Sequence, residues 1–201
     1  MSCLRSFVVP ALLCGLGRVL HAYPGGAPAG ACGSMAPQHG ANPQASASPY
    51  VVAANASTFR HGEKIKVYVT STETYRGILL QARNPNTSAI VGSWTSPPAT
   101  TKAISCDSGK ANAVTHGSAV DRRAADFVYT WQAPSSGAPD VVQFQATLVK
   151  TEYVFWTSIK SPMLKLDPTV VVIDTTGTGE PLSCSVFVMV AAACLGVVWH
   201  V

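Results

Sequence analysis

Histidine, cysteine, aspartate and glutamate form most catalytic and metal sites, and this chain has 5 histidines, 6 cysteines and 10 acidic residues. The acidic residues are scattered, with no close pair that would supply a general acid and a general base. The sequence contains no G-x-S-x-G elbow, P-loop, H-E-x-x-H helix or dinucleotide fingerprint. We therefore expect no catalytic residue and no cofactor, and we classify the chain as a non-enzyme.

Two of the 6 cysteines are available for a fold-stabilising role. The other four lie in or beside apolar terminal segments: Cys3, Cys14, Cys184 and Cys194. In an oxidising compartment, Cys32 and Cys106 most simply form one disulfide. A zinc site is the alternative, and it would need His39 and His116 to converge on them, because no C-x-x-C pair is present. We favour the disulfide and expect no metal.

Both ends of the chain are apolar and nearly uncharged, which accounts for a charged fraction of only 12%. Residues 1–22 are typical of a secretory signal peptide, with an uncleaved anchor as the alternative. Residues 186–199, preceded by a polar spacer at 177–185, match a GPI signal with attachment at Asp174 or Gly177. A short membrane helix or a soluble product is the alternative. The expected location is the secretory pathway, then the cell surface or the extracellular space.

Two N-glycosylation sequons agree with secretion. They are Asn55-Ala56-Ser57 and Asn86-Thr87-Ser88, and neither has proline in the middle. Both fall between predicted strands. We predict glycans at Asn55 and Asn86 if the chain is secreted, although sequons also occur by chance.

The charge balance excludes nucleic-acid binding. Leaving out Arg5 and Arg18, 12 basic residues face 10 acidic ones, a net charge of about +2. A local basic surface is still possible, formed by Arg60, Lys64 and Lys66 together with Arg122 and Arg123. Such a surface would bind an anionic glycan or a bacterial surface. The alternative is that these are solvated side chains on the outer face of a strand.

These candidate residues must be positioned by β-strands, because period-two alternation is the dominant pattern. Phe127, Tyr129 and Trp131 alternate and place three rings on one face, which a second layer must cover. We expect these rings in the core rather than in a binding platform. Other strands are predicted at residues 49–53, 64–70, 77–83, 89–94, 141–149 and 152–159, with residues 23–47 irregular and 95–125 a long polar connection.

This pattern predicts an all-β fold. We expect an antiparallel, immunoglobulin-like or fibronectin-like β-sandwich of about 7–9 strands, and we expect it to be monomeric. We place recognition in the loops, above all in residues 95–125. We divide the chain into a signal peptide (1–22), the sandwich domain (23–166), a stalk (167–185) and an apolar tail (186–199).

An ordered set of motifs resembles the Reeler domain, also called the reelin N-terminal domain. The set comprises A-C-G-S-M at 31–35 with Pro37 and His39, S-P-Y at 48–50, G-I-L-L-Q-A-R at 77–83, Cys106, V-T-H at 114–116, F-V-Y-T-W-Q-A-P at 127–134, and V-Q-F-Q-A-T-L-V at 142–149 with Tyr153 and Trp156. The resemblance implies an immunoglobulin-like sandwich and pairs Cys32 with Cys106.

The resemblance also bears on function. Reeler domains occur at the amino ends of reelin, the F-spondins and the ferric-chelate reductases, and nearly alone in insect defence proteins. The haem-binding membrane bundle of the reductases has no counterpart in this sequence, and the single-domain layout is similar to the defence proteins. We expect a binding module of innate immunity whose partners are microbial surface polymers. A matrix or adhesion module for anionic glycans is the alternative, and an accessory to ferric-chelate reductase is a remote one.

Overall fold

A computed structural model describes residues 23–38 and 40–168 of the chain. The predicted signal peptide, the attachment sites Asp174 and Gly177, the apolar tail and His39 lie outside these residues. The strands are β1 (Val51–Ala54), β2 (Thr58–Phe59), β3 (Lys64–Thr70), β4 (Thr74–Tyr75), β5 (Gly77–Arg83), β6 (Ser93–Thr95), β7 (Thr101–Ile104), β8 (Ala113–His116), β9 (Arg122–Arg123), β10 (Val128–Gln132), β11 (Val141–Thr151) and β12 (Val154–Leu166). Two short 3-10 helices cover Ala29–Ala31 and Ala124–Asp126.

Two sheets pack face to face. The four-stranded sheet has the order β1-β3-β10-β6, and the six-stranded sheet has the order β2-β12-β11-β5-β8-β7. All pairings are antiparallel except β2 with β12, where Thr58 and Phe59 run parallel to Lys165 and Leu166. Strands β4 and β9 form a separate two-stranded ribbon. The predicted β-sandwich is therefore confirmed, with more strands than expected because short two- to four-residue strands fill the connections.

The core between the sheets follows from side-chain alternation. Strand β3 buries Ile65, Val67 and Val69 and exposes Lys64, Lys66 and Thr70. Opposite it, β11 buries Val142, Phe144, Ala146 and Leu148. At about 25 cal/mol per Å² of buried apolar surface, these interdigitating rows provide the main stabilisation of the sandwich.

The aromatic strand lies in the centre of this core. Tyr129 and Trp131 are fully buried, and Trp131 makes edge-on ring contacts with Phe59 at 5.5 Å and Phe144 at 5.4 Å. Its indole N–H donates to the Val91 carbonyl at 2.9 Å. Phe127 precedes the strand and is only partly buried against the core. The prediction that these rings are core residues is confirmed for Tyr129 and Trp131.

A glycine makes this indole contact possible. Gly92 has φ +70°, and a Cβ there would lie 2.4 Å from the Gln132 carbonyl oxygen and 2.5 Å from Trp131 Nε1. Only glycine combines this backbone conformation with such a close approach. The chain can therefore pass directly over the Trp131 ring.

Strand β5 is buried along its whole length, unlike β3. Ile78, Leu80 and Ala82 face the main core, whereas Leu79 belongs to a second cluster with Cys32, Met35, Cys106 and Ala113. The irregular N-terminal segment, residues 23–38, supplies the other wall of this cluster. The six-stranded sheet thus has a third layer on its outer face, which we call the N-terminal cover.

Candidate functional site

The outer face of the four-stranded sheet carries the predicted basic residues Lys64 and Lys66. Both side chains are exposed, and they alternate with the buried residues of β3. Lys66 Nζ lies 3.0 Å from Thr130 Oγ1 on the neighbouring strand. Tyr68, half-buried, lies one step further along this face and pairs with Val128 on β10. The resulting surface combines two ammonium groups with one aromatic ring, and we call it the β3 face.

Arg60 belongs to the turn before β3 rather than to the β3 face. Its Nη2 is 2.7 Å from Asp167 Oδ2, and the side chain is half exposed. An exposed ion pair of this kind contributes little to stability, but it neutralises Arg60 in part. Of the predicted basic group, the structure therefore places only Lys64 and Lys66 on one surface without an acidic partner among the residues it describes.

The prediction that Arg122 contributes to an exposed basic surface is wrong. Arg122 is 1% exposed, and its guanidinium donates to five acceptors. The acceptors are Thr100 Oγ1 at 3.0 Å and the carbonyls of Thr100, Arg76, Ser118 and Val120 at 2.6–3.0 Å. Burial lowers the pKa of Arg122, and these carbonyls compensate for the lost water. No donor is left over for a glycan, because the five N–H groups of the guanidinium meet five acceptors.

Arg123 points to the opposite side of β9, as expected for the next residue of a strand. It is exposed, and its Nε is 2.9 Å from Asp126 Oδ2. Strand β9 pairs with β4, not with the four-stranded sheet. Arg123 is therefore a surface cation on a different element from Lys64 and Lys66.

The two sequons lie on exposed turns. Asn55 follows β1, and its backbone N–H and its side-chain Oδ1 bond the backbone of Lys66 at 3.0 and 2.9 Å. Asn86 is exposed in the turn after β5, and its N–H donates to Asn84 Oδ1 at 2.9 Å. Glycosylation at either asparagine stays a prediction.

The N-terminal cover is fastened to the six-stranded sheet at several points. Cys32 and Cys106 form a disulfide with a Cα–Cα distance of 5.8 Å. The Arg83 guanidinium, buried on β5, donates to the carbonyls of Cys32 and, at 2.8 Å, Ser88. Thr147 Oγ1 donates to the Met35 carbonyl at 2.6 Å. These contacts replace the solvent that the outer face of the sheet would otherwise meet.

His116, on β8, fastens the beginning of the cover. Its Nε2 lies 3.1 Å from the Tyr23 carbonyl, and its Nδ1 accepts from the Ile78 N–H at 3.3 Å. Burial lowers the pKa of His116, so the neutral form is favoured. In residues 23–38 and 40–168, no group of three His, Cys, Asp or Glu side chains is arranged to hold an ion.

Between the cover and the sheet lies a cavity of about 260 Å³. Its floor includes Leu79 of β5 and Val149 of β11, and its roof includes Ala31 and Pro37. Sequence reasoning missed this cavity because residues 23–47 show no periodicity. The only available signal was the apolar character of β5 on both faces.

Residues 95–125, predicted as a polar connection carrying the recognition loops, contain strands β7, β8 and β9 and the beginning of the second 3-10 helix. Strands β7 and β8 extend the edge of the six-stranded sheet.

The part of the chain that the structure describes contains no helix of the length and apolarity that a membrane span requires.

Comparison with known proteins relates this architecture to a family. The model of the Reeler domain matches residues 30–170. The chain is 40% identical over 143 residues to "Putative defense protein 3" of Antheraea mylitta, covering 70% of this chain and 84% of that protein. It is 34% identical over 145 residues to "Putative ferric-chelate reductase 1" of Danio rerio, but spans only 25% of that protein's length.

A solved structure agrees at the level of the fold. The human F-spondin reeler domain (fragment 1) superposes with a TM-score of 0.51 at 17% identity, covering 63% of this chain and 94% of that domain. Sequence and fold therefore lead to the same conclusion: the chain belongs to the Reeler domain family.

Proposed function

We propose that this chain is an extracellular, non-catalytic binding module that acts in innate defence by binding microbial surface polymers. The similarity to the defence protein of Antheraea mylitta supports this most directly, because it extends over 84% of that relative. The reductase match is confined to a quarter of the relative's length, so reductase chemistry is not carried over to this chain.

The β3 face is the surface that we assign to this binding. Lys64 and Lys66 project from the same side of β3, which pairs with β1 and β10, so both ammonium groups are presented on one surface. Microbial surface polymers commonly carry phosphate or carboxylate groups, and clustered ammonium groups attract them. The neighbouring Tyr68 ring offers a surface on which a sugar ring can pack.

Co-sedimentation of the purified protein with several bacterial species tests the proposal. We expect retention by the cells and at least a fivefold loss in the Lys64→Ala/Lys66→Ala variant. The matched control is Lys102→Ala/Lys160→Ala, which removes two exposed lysines from the six-stranded sheet. Absence of binding to every species tested would overturn the function. Equal binding by both double variants would overturn the assignment to the β3 face.

A second candidate is an adhesion module for anionic host glycans, favoured by the same exposed lysine pair. Heparin chromatography separates the two. Retention on heparin that is lost on replacing Arg60, Lys64 and Lys66 by alanine, together with no binding to bacteria, would favour the adhesion module. The signal peptide and the GPI anchor stay predictions, which phospholipase release from cells and the intact mass of the released chain would test.

A further inference from the structure

The cavity beneath the N-terminal cover is separate from the β3 face. It lies on the outer side of the six-stranded sheet, whereas Lys64 and Lys66 lie on the outer side of the four-stranded one. Its walls are mostly aliphatic, with Leu79 and Val149 below and alanine and proline side chains above.

The buried polar side-chain atoms in the cavity wall already have partners. Thr147 Oγ1 donates to the Met35 carbonyl, and both ring nitrogens of His116 are within hydrogen-bonding distance of backbone groups. In residues 23–38 and 40–168, the one buried side-chain nitrogen or oxygen without a partner is Trp94 Nε1, which belongs to the core between the sheets. A water molecule inside the cavity would therefore gain few hydrogen bonds.

The size of the cavity indicates what it can hold. An apolar cavity of about 150 Å³ is enough to bind benzene. A volume of about 260 Å³ therefore accommodates on the order of ten carbon atoms. Burial of an alkyl chain of that length would be driven by the hydrophobic effect, because most of the cavity wall is apolar.

The mouth of the cavity carries two opposite charges, Arg76 and Glu152. The Arg76 side chain is 54% exposed, and its contacts are the Ala119 carbonyl at 3.1 Å and Asp121 at 3.4 Å. Asp121 is itself 69% exposed, so this ion pair is weak and easily exchanged for another carboxylate. A guanidinium has five N–H donors, and these two contacts leave donors available.

We propose that this cavity binds a medium-chain fatty acid, with the alkyl chain between cover and sheet and the carboxylate at Arg76. The apolar wall selects the chain, and the cation at the mouth selects the head group. The disulfide holds the roof in place before binding, so little ordering of the protein is needed.

Isothermal titration calorimetry with decanoate, on the full chain as purified, tests the proposal. We expect saturable binding of one decanoate, weakened at least tenfold by Val149→Phe, which fills the cavity from the floor. Val141→Phe is the matched control, because Val141 lies on the same outward face of β11 but outside the cavity. Thermal unfolding of each variant shows whether it is folded. If Val149→Phe does not fold, Ala31→Leu fills the cavity from the roof instead.

The head-group assignment has its own test. Arg76→Gln should weaken decanoate binding about three- to tenfold and leave decanol binding unchanged. Equal losses for acid and alcohol would overturn the role of Arg76. No saturable binding of decanoate, or undiminished binding in the filled variants, would overturn the site.

Discussion

The two outer faces of this sandwich are built on opposite plans. The β3 face is bare and carries charged side chains on a strand that alternates strictly between buried and exposed residues. The outer face of the six-stranded sheet is covered at β5 by the N-terminal cover, and this strand has no exposed residue. The burial pattern of a strand therefore indicates whether one or both of its faces are covered by another layer. It also separates a bare, charged surface from a cavity that lies beneath a covering segment.

The largest expected change in stability comes from the disulfide that links the N-terminal cover to the rest of the domain. Replacing Cys32 and Cys106 together by alanine opens a loop spanning 74 residues. We expect a loss of about 4 kcal/mol in the free energy of unfolding, on the chain-entropy model. Urea unfolding followed by tryptophan fluorescence measures it. A loss below about 1 kcal/mol would mean that the cover stays in place without its covalent link.

Truncation of an apolar side chain should also distinguish the faces. Leu79→Ala leaves a hole under the cover, because Leu79 is 4% exposed, and we expect a loss of about 3 kcal/mol. Val128→Ala, on the bare face where the side chain is 38% exposed, should cost less than about 1 kcal/mol. Chemical denaturation of both variants provides the comparison. Equal losses would contradict the difference in layering.

A buried cation beneath the cover and an exposed cation on the β3 face should differ in their contribution to stability. Arg83→Met removes the donor to the Cys32 and Ser88 carbonyls, and we expect a loss of about 2 kcal/mol because buried acceptors are left unpaired. Lys66→Met removes an exposed cation and should change stability by no more than about 0.5 kcal/mol. Thermal unfolding at several salt concentrations would check both variants. A loss for Lys66→Met as large as that for Arg83→Met would contradict the expected difference between the two faces.

The smallest expected effect is the pH dependence that originates from His116 on the covered side. Burial lowers the pKa of His116 below its usual 6.5 in the folded state, so the unfolded chain binds a proton first. The associated stability is present above pH 6.5 and is lost as the pH falls through the lowered folded-state pKa, by at most about 1.4 kcal/mol per pH unit. His116→Gln should reduce this slope in urea unfolding between pH 7.5 and 5. An unchanged slope would show that His116 does not titrate with unfolding.

Much of the fold followed from local patterns. The bounds of β3 and β5 agree with the prediction because alternation and turn residues define both strands. Strand β12 continues to Leu166, seven residues beyond the predicted end, because pairing with β11 and β2 extends it through three register irregularities. Strand β7 has a weak pattern of its own and is a strand because it pairs with β8. Such pairings are not visible in the local sequence.

The candidate sites were only partly predictable. Alternation placed Lys64 and Lys66 on one outer face, which the structure bears out. Alternation could not show that Arg122 is buried, because two adjacent arginines are typical of an exposed segment. The acceptors that surround its guanidinium come together only in the folded structure. The cavity depends on an irregular segment lying over a distant sheet, and no period in residues 23–38 encodes that contact.

The hydrogen bonds between Asn55 and Lys66 have a consequence for how this protein is produced. A branched oligosaccharide on Asn55 would lie next to Lys66 and sterically block the access of large partners to Lys64 and Lys66. Whether the β3 face is open would then be set by the glycosylation machinery of the producing cell. Protein made in bacteria would present a surface that the glycosylated form keeps screened. Heparin retention of the chain made in glycosylating cells, compared with its Asn55→Gln variant, would reveal this shielding, and equal retention would rule it out.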